Sequence, residues 1–259
     1  MTVGRAEAYD RHTGRYGPEL SEAFVSFAAV RPGMRALDVG CGPGGLTRAL
    51  AALVGADRVA AVDPSEDYAR VCRERVPGAD VRDGAAEALP FADGAFDAVL
   101  SQLVVQALDD APAAAREMRR VAAPGGVVAA CAWDFGGGMP LLDAYWGAAA
   151  AVDPAGARAF DGDTANAWCT RAGLERLWRE AGVADVETAE LAAGAGYEDV
   201  DDAFFSFAAG VGMSGAFCRS LPEARREALR EEFERRLGDP RGPFRLVARA
   251  WAVRGRAGG

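Results

Sequence analysis

The 259-residue chain is 50% hydrophobic and carries a formal charge of −9, which suits one large α/β domain, with or without a cap, and excludes a disordered chain. The acidic balance argues against a nucleic-acid or anionic-membrane partner, since both call for clustered cations. A small-molecule partner is expected instead.

All 29 basic residues are arginine, which excludes Schiff-base chemistry on lysine. The five cysteines, Cys41, Cys72, Cys131, Cys169 and Cys218, lack C-x-x-C spacing, so neither a disulfide framework nor a metal site is expected. No N-terminal stretch resembles a signal sequence, and no apolar run approaches the ~18 to 20 residues that span a bilayer. The expectation is a soluble cytoplasmic protein with no membrane association.

In chain order, residues 1–33 read as one or two helices forming a lid. "RALDVG" opens a strand over 35–41, followed by a helix over 44–55, a strand over 58–63 and a helix over 65–76. Strands over 80–84 and 96–102 come next, then a helix over 110–123 and a strand over 126–133. The runs "ALDVG", "RVAAVD" and "FDAVLS" are apolar almost without interruption, as in strands buried on both faces. Their alternation with amphipathic helices predicts a Rossmann-like, mostly parallel sheet with helices on both sides. Pro112 falls in the first turn of its helix, where a missing N–H is tolerated, and the glycines of "APGG" suit the C-terminal cap. Farther on, "CTRAGLERLWREAG" predicts a helix over 169–182, "VADVETAEL" a strand over 183–191 and "FRLVARAWAVRG" a last strand over 244–255. Segments 136–168 and 194–240 are partly helical and rich in aromatics. They read as insertions forming a helical cap on a single domain, 1–259, whose ligand-binding core is 34–135.

The glycines of "LDVGCGPGG" fit G-x-G-x-x-G at Gly40, Gly42 and Gly45, at the carboxyl end of the first strand, where open α/β sheets bind ligands. Glycine belongs there because the backbone turns sharply and approaches the ligand. About twenty residues on, "VDPS" places Asp63, followed by Pro64, where a carboxylate can accept from both hydroxyls of a ribose. To this point a nicotinamide dinucleotide and other adenosine cofactors are tied. Acidic Asp38 before the loop and Pro43 within it suit a ligand bearing an ammonium or sulfonium rather than a pyrophosphate. In "DGAAEALPF", Asp83 can accept from an adenine amino group and the N–H of Ala85, beyond Gly84, can donate to a ring nitrogen. The plainer alternatives are a helix cap for Asp38, a turn residue for Asp63 and a turn dipeptide for Asp83-Gly84.

Together "LDVGCGPG", "VDPS", "DGAAEALPF", "FDAVLSQ" and "RRVAAPGG" resemble the class I S-adenosylmethionine-dependent methyltransferases, and most closely the small-molecule enzymes related to the ubiquinone and menaquinone methyltransferases. The resemblance covers roughly residues 35–133. It implies a seven-stranded sheet whose last strand is antiparallel, S-adenosyl-L-methionine as cofactor, and Asp38, Gly40 and Gln102 at its methionine end. It also implies that an N-terminal "Y-D-…-G-R-Y" segment, here Tyr9, Arg15 and Tyr16, closes over the cofactor, with Arg15 toward its carboxylate.

A sulfonium is an activated methyl donor, so the protein's task is to align a nucleophile, exclude water and, where needed, remove a proton. Relatives often carry a histidine after the fourth strand; this chain has Gln102 and Gln106 there. The lone His12 is a candidate base, or an exposed helix residue, and Asp134 is a second candidate base, or a cap. Among the aromatics and their neighbours, Phe135, Met139, Tyr145, Trp146 and Phe207 are candidates for an apolar acceptor pocket with Gln106, or for core. The expectation is a methyltransferase, monomeric or homodimeric, acting on an apolar or aromatic small molecule in secondary metabolism. Its competitors are an S-adenosylmethionine-binding protein with a non-methylating or regulatory role and a nicotinamide oxidoreductase.

Overall fold

A computed structural model of the chain describes residues 10–11, 13–160 and 167–258. The strands are β1 Ala36–Val39, β2 Val59–Asp63, β3 Asp80–Asp83, β4 Phe96–Gln102, β5 Ala122–Trp133, β6 Val183–Tyr197 and β7 Phe244–Ala257. The helices used below are α1 Gly17–Phe27, α2 Gly45–Val54, α3 Glu66–Arg75, α4 Ala111–Val121, α5 Pro140–Val152, α6 Pro154–Phe160, α7 Arg171–Glu180, α8 Val200–Ala208, α9 Gly212–Ser220 and α10 Glu223–Arg236.

The seven strands form one sheet in the order β3-β2-β1-β4-β5-β7-β6. β1 pairs in parallel with β2 and β4, β2 with β3 and β4 with β5, while β7 runs antiparallel to β5. The expected mostly parallel, seven-stranded α/β sheet is therefore present. β1 and β2 are buried at every position, which is why their sequences show no polar alternation, whereas edge strand β3 buries one residue in four. After β3 the chain returns to the far side of β1 to form β4, so the carboxyl ends of β1 and β4 flank the point where the winding reverses.

Local sequence explains the covering helices. In α2, Leu46, Leu50 and Val54 recur every fourth residue and are buried. α4 starts with Asp110, whose side chain accepts from the N–H of Ala113 at 2.8 Å, and carries Pro112 in its first turn. Its end differs from the expected glycine cap. Ala122 is already extended, and "APGG" lies inside β5, where Phe96 pairs with Ala122 and Ala98 with Val127. The extra residues on β5 make a bulge. Gly126 sits so close to its neighbours that a Cβ there would lie 2.8 Å from the Ala123 carbonyl oxygen, so glycine serves close backbone approach here. Likewise the strand expected to stop at 191 continues to Tyr197, past the expected start of the second insertion.

The chain divides into two compact units. One comprises 17–134, 167–193 and 249–259: β1 to β5, most of β6 and β7, and α1 to α4 with α7. Within it α7 is docked by the Trp178 indole, which donates to the Val128 carbonyl at 2.9 Å. The helix at 17–27, read above as part of a lid, packs on α2 in this unit. The other unit holds residues 10–16, 135–160 and 194–248, with α5, α6, α8, α9 and α10. Its core is aromatic: Tyr145 and Phe207 are fully buried and stacked with centroids 4.0 Å apart, and Phe233 meets both edge-on. The Tyr145 hydroxyl donates to the buried Ser214 carbonyl at 2.6 Å. Replacing Tyr145 with Phe is expected to lower stability by about 1 kcal/mol through loss of that bond, read as a reduced midpoint in urea, and to leave ligand binding unchanged.

Candidate functional site

The glycine loop leaves β1 with left-handed backbone at Gly40 (φ 76°), Gly42 (φ 52°) and Gly44 (φ 92°). It is pinned to β2, because the N–H groups of Gly40 and Cys41 both donate to the Val62 carbonyl, at 2.8 and 3.0 Å. The three glycines serve different ends. A Cβ on Gly40 would lie 2.8 Å from Val104 Cγ1 and closer still to its other methyl, whereas one on Gly42 would meet nothing within 4 Å. The loop is thus packed from below at Gly40 and open at Gly42, the arrangement a ligand lying along the backbone requires.

Asp63 closes the loop's other side. Its Oδ2 accepts from the Gly42 N–H at 2.8 Å and its Oδ1 from the Ser65 N–H at 2.9 Å. Each oxygen retains acceptor capacity, so the carboxylate is aimed and still able to receive two hydroxyls. Pro64 is exposed in the turn. One strand on, the Gly84 N–H donates to the Asp63 carbonyl at 3.1 Å, and a Cβ on Gly84 would lie 3.0 Å from Val62 Cγ2. Asp83 is more than half exposed and pairs through Oδ1 with Arg73 at 2.8 Å, and Ala85 is exposed.

Asp38 is 1% exposed. Its Oδ2 accepts from the Thr47 hydroxyl at 2.6 Å, while Oδ1 is buried with no hydrogen-bond partner among the described residues. The cap of the following helix is Gly44, without a side-chain bond, so Asp38 is not that helix's cap. Burial pushes its carboxyl up to about 7, with Thr47 opposing the shift and the charge of Asp63 adding to it. Behind Thr47 lies Cys72, whose thiol is 3.5 Å from the Thr47 hydroxyl. Cys41 and Cys72 share one buried cluster, and the neighbouring Cys72 together with burial holds the Cys41 thiol up. All five cysteines are buried thiols outside any disulfide. A buried acceptor oxygen with no donor is a destabilising feature on its own, and a ligand cation relieves it.

At the end of β4, the amide of Gln102 exchanges hydrogen bonds with the Ser21 hydroxyl of α1, at 3.0 and 3.1 Å. The next residue, Leu103, adopts φ 63° although it is not glycine, with its N–H bound to the Cys131 carbonyl at 2.8 Å. Such backbone at the winding reversal directs Val104 beneath Gly40. Thr47, Leu103, Val104 and Ser21 were not foreseen. Thr47 carried a signal, standing in the first turn of the helix after the loop, but nothing local marks the others.

The other candidates make contacts of their own. Asp134 is buried, and both Nε and a terminal nitrogen of Arg249 reach its Oδ2 at 2.6 Å. The carboxylate is held as an ion pair, a different state from a free proton acceptor. Replacing Arg249 with Met is expected to remove this ion pair and to lower stability by about 1–2 kcal/mol, read as a fall in Tm. Gln106 accepts the Trp133 N–H at 3.0 Å. In the helical unit, Arg15 binds Asp202 with two nitrogens and the Gly196 carbonyl at 3.0 Å, so the carboxylate it holds is the protein's own. Tyr16 is buried with its hydroxyl 3.1 Å from that of Tyr197. Tyr145 and Phe207, candidates for an acceptor pocket or for core, are fully buried in the aromatic stack of their unit. Met139 is also buried there, and Phe135 and Trp146 are half-buried. Tyr9 and His12 lie outside the described residues.

Comparison with known proteins gives the same region its relatives. Residues 37–130 match the family model of a methyltransferase domain. The chain is 37% identical over 123 residues to the malonyl-acyl-carrier-protein O-methyltransferase of Erwinia pyrifoliae, covering 48% of this chain and 46% of that protein. It is 39% identical over 132 residues to the ubiquinone/menaquinone biosynthesis C-methyltransferase UbiE of Burkholderia vietnamiensis, covering 48% and 54%. The chain spans about half the length of these curated relatives. A solved structure from Anabaena variabilis, a candidate methyltransferase of an antibiotic biosynthesis pathway, superposes with a TM-score of 0.60 at 18% identity, covering 92% of this chain and 98% of that one. At that identity the likeness is one of fold. Among the described residues no helix is long and apolar enough to cross a membrane.

Proposed function

We propose that the chain is a class I S-adenosylmethionine-dependent methyltransferase, a reading that its motifs and the matched methyltransferase domain support, and that it transfers the methyl group of S-adenosylmethionine to a small-molecule acceptor, apolar or aromatic, in secondary metabolism. The observation that carries the reading is the buried, unpartnered oxygen of Asp38 beside an open Gly42. Those residues fit this cofactor, which brings a cationic amino-acid tail and a ribose to one loop.

In this reading Asp63 receives the ribose hydroxyls, Asp83 and the Ala85 N–H face the adenine, and Asp38, Gly40 and Gln102 hold the methionine end. When bound, the cofactor supplies a methyl group already activated on sulfur. What the chain adds is position: Asp63 keeps Gly42 in place, Val104 supports Gly40, and the pair of Ser21 and Gln102 fixes the end of β4. The relatives are named for O-methylation of malonyl-acyl carrier protein and for C-methylation in quinone biosynthesis, so oxygen and carbon acceptors both belong to the proposal, with nitrogen a third. A proton acceptor, where the acceptor needs one, is assigned to His12 ahead of Asp134, since Arg249 already binds Asp134.

Incubation with cofactor labelled on the methyl group and a panel of quinols, phenols and acyl thioesters is expected to give labelled product from at least one class. Tight binding of S-adenosylhomocysteine with no product from any class would point to a cofactor-binding protein that does not methylate. Binding of NADH but not of S-adenosylhomocysteine would overturn the assignment altogether.

A further inference from the structure

We propose that Asp38 carries a proton in the cofactor-free protein and gives it up as the cofactor's α-ammonium arrives, so that cofactor binding releases one proton. The inference rests on the reading of this loop as an S-adenosylmethionine site and extends it to how pH governs occupancy.

Geometry carries the argument. An ionised carboxylate taken out of water needs several donors or a cation to offset its lost hydration. Asp38, on an inner strand of the sheet, is met by the hydroxyl and, more weakly, the backbone N–H of Thr47, and among the described residues its Oδ1 has no donor at all. Among the described residues, the groups that act on it supply no positive charge. From α2 comes neutral Thr47, from β4 its pairing partner Leu100, and from the end of β2 the repelling Asp63. The loop, α3 and β5 contribute the thiols of Cys41, Cys72 and Cys131, and the charge of Asp38 acts to raise each of them. These surroundings favour the neutral carboxyl near neutrality.

An ammonium reverses the balance, because it brings both a positive charge and N–H donors to the empty oxygen. The exchange conserves charge: a neutral carboxyl and a cation become an ion pair, and a proton goes to solvent. By linkage, affinity falls about tenfold for each pH unit below about 7 and is level above it.

The cofactor-free protein shows the same group through its stability. Asp38's carboxyl stands at about 7 in the fold against an ordinary value of 3.8. The native state therefore binds more protons than the unfolded one between those values, and Asp38's contribution declines as pH rises from about 4 to about 7.

The test is calorimetric titration with S-adenosylhomocysteine, which has the ammonium but no sulfonium, at pH 6 and pH 8 in buffers of different ionisation heat. The expected result is release of nearly one proton at pH 6 and little at pH 8, with Asp38→Asn binding more weakly and independently of pH. Thr47→Val, which keeps the carboxyl but removes its donor, moves the transition to higher pH. Bound S-adenosylhomocysteine with no proton release at pH 6 overturns the coupling and leaves the cofactor site standing; failure to bind overturns both. Infrared difference spectra of cofactor-free wild type and Asp38→Asn give an independent readout. A protonated carboxyl band belonging to Asp38 is expected at pH 6 and gone by pH 8, and its absence at pH 6 overturns the proposal without reference to any ligand.

Discussion

Replacing Asp63 with alanine is expected to weaken S-adenosylhomocysteine binding by about a hundredfold or more, about 3 kcal/mol. Two losses combine. The ribose hydroxyls lose a charged acceptor, and bonds to a charged acceptor are each worth about 1.5–3 kcal/mol. The N–H groups of Gly42 and Ser65 lose theirs as well, so the loop is no longer held to the end of β2. Asp63→Asn separates the two contributions: its single carbonyl oxygen can keep one of the backbone bonds, while its amide turns donors toward the other N–H. Alanine is therefore expected to exceed asparagine in binding loss, with both variants folded. Calorimetry showing less than a threefold change for alanine would remove Asp63 from the site.

The second large effect is expected at Gly40. Alanine there must adopt φ 76°, and its Cβ meets both methyl groups of Val104. Left-handed backbone for a side chain with a Cβ costs about 1–2 kcal/mol, and overpacking adds about 1–3 kcal/mol. A stability loss of about 3 kcal/mol is expected, together with loss of cofactor binding as the loop shifts. The double variant Gly40→Ala/Val104→Ala removes the clashing methyls and leaves the backbone strain. It is expected to recover about half of the lost stability in a double-mutant cycle. No recovery would mean that Val104 does not support the loop.

How much of this was legible in the sequence follows from the range of the interactions concerned. Strands β1, β2 and β4 and helices α2 to α4 were legible because uninterrupted apolar runs and fourfold spacing are local consequences of double burial and helical pitch. The pairs that determine what a charged side chain can do are not local. Arg15 meets Asp202 187 positions away, and Arg249 meets Asp134 115 positions away. An arginine beside two tyrosines and an aspartate ending a strand look available when read along the chain, and the fold gives each a partner. The aromatics misled for a related reason. Tyr145 and Phe207 suit a pocket wall and a core equally well by composition, and only the fold shows that they stack in the core of their unit.

By itself the sequence determined the order of strands and helices, the glycine loop and the positions of Asp38 and Asp63 on either side of it, since each follows from neighbours within about twenty-five residues. The tertiary structure alone decided which oxygens were satisfied. Asp63 acquired two backbone donors and remained an acceptor, Asp134 acquired an arginine, and Asp38 was buried with Thr47 beside one oxygen. Hydration is lost by position in the fold and regained only through contacts the fold makes, so which carboxylate waits for a ligand is a property of the assembled sheet.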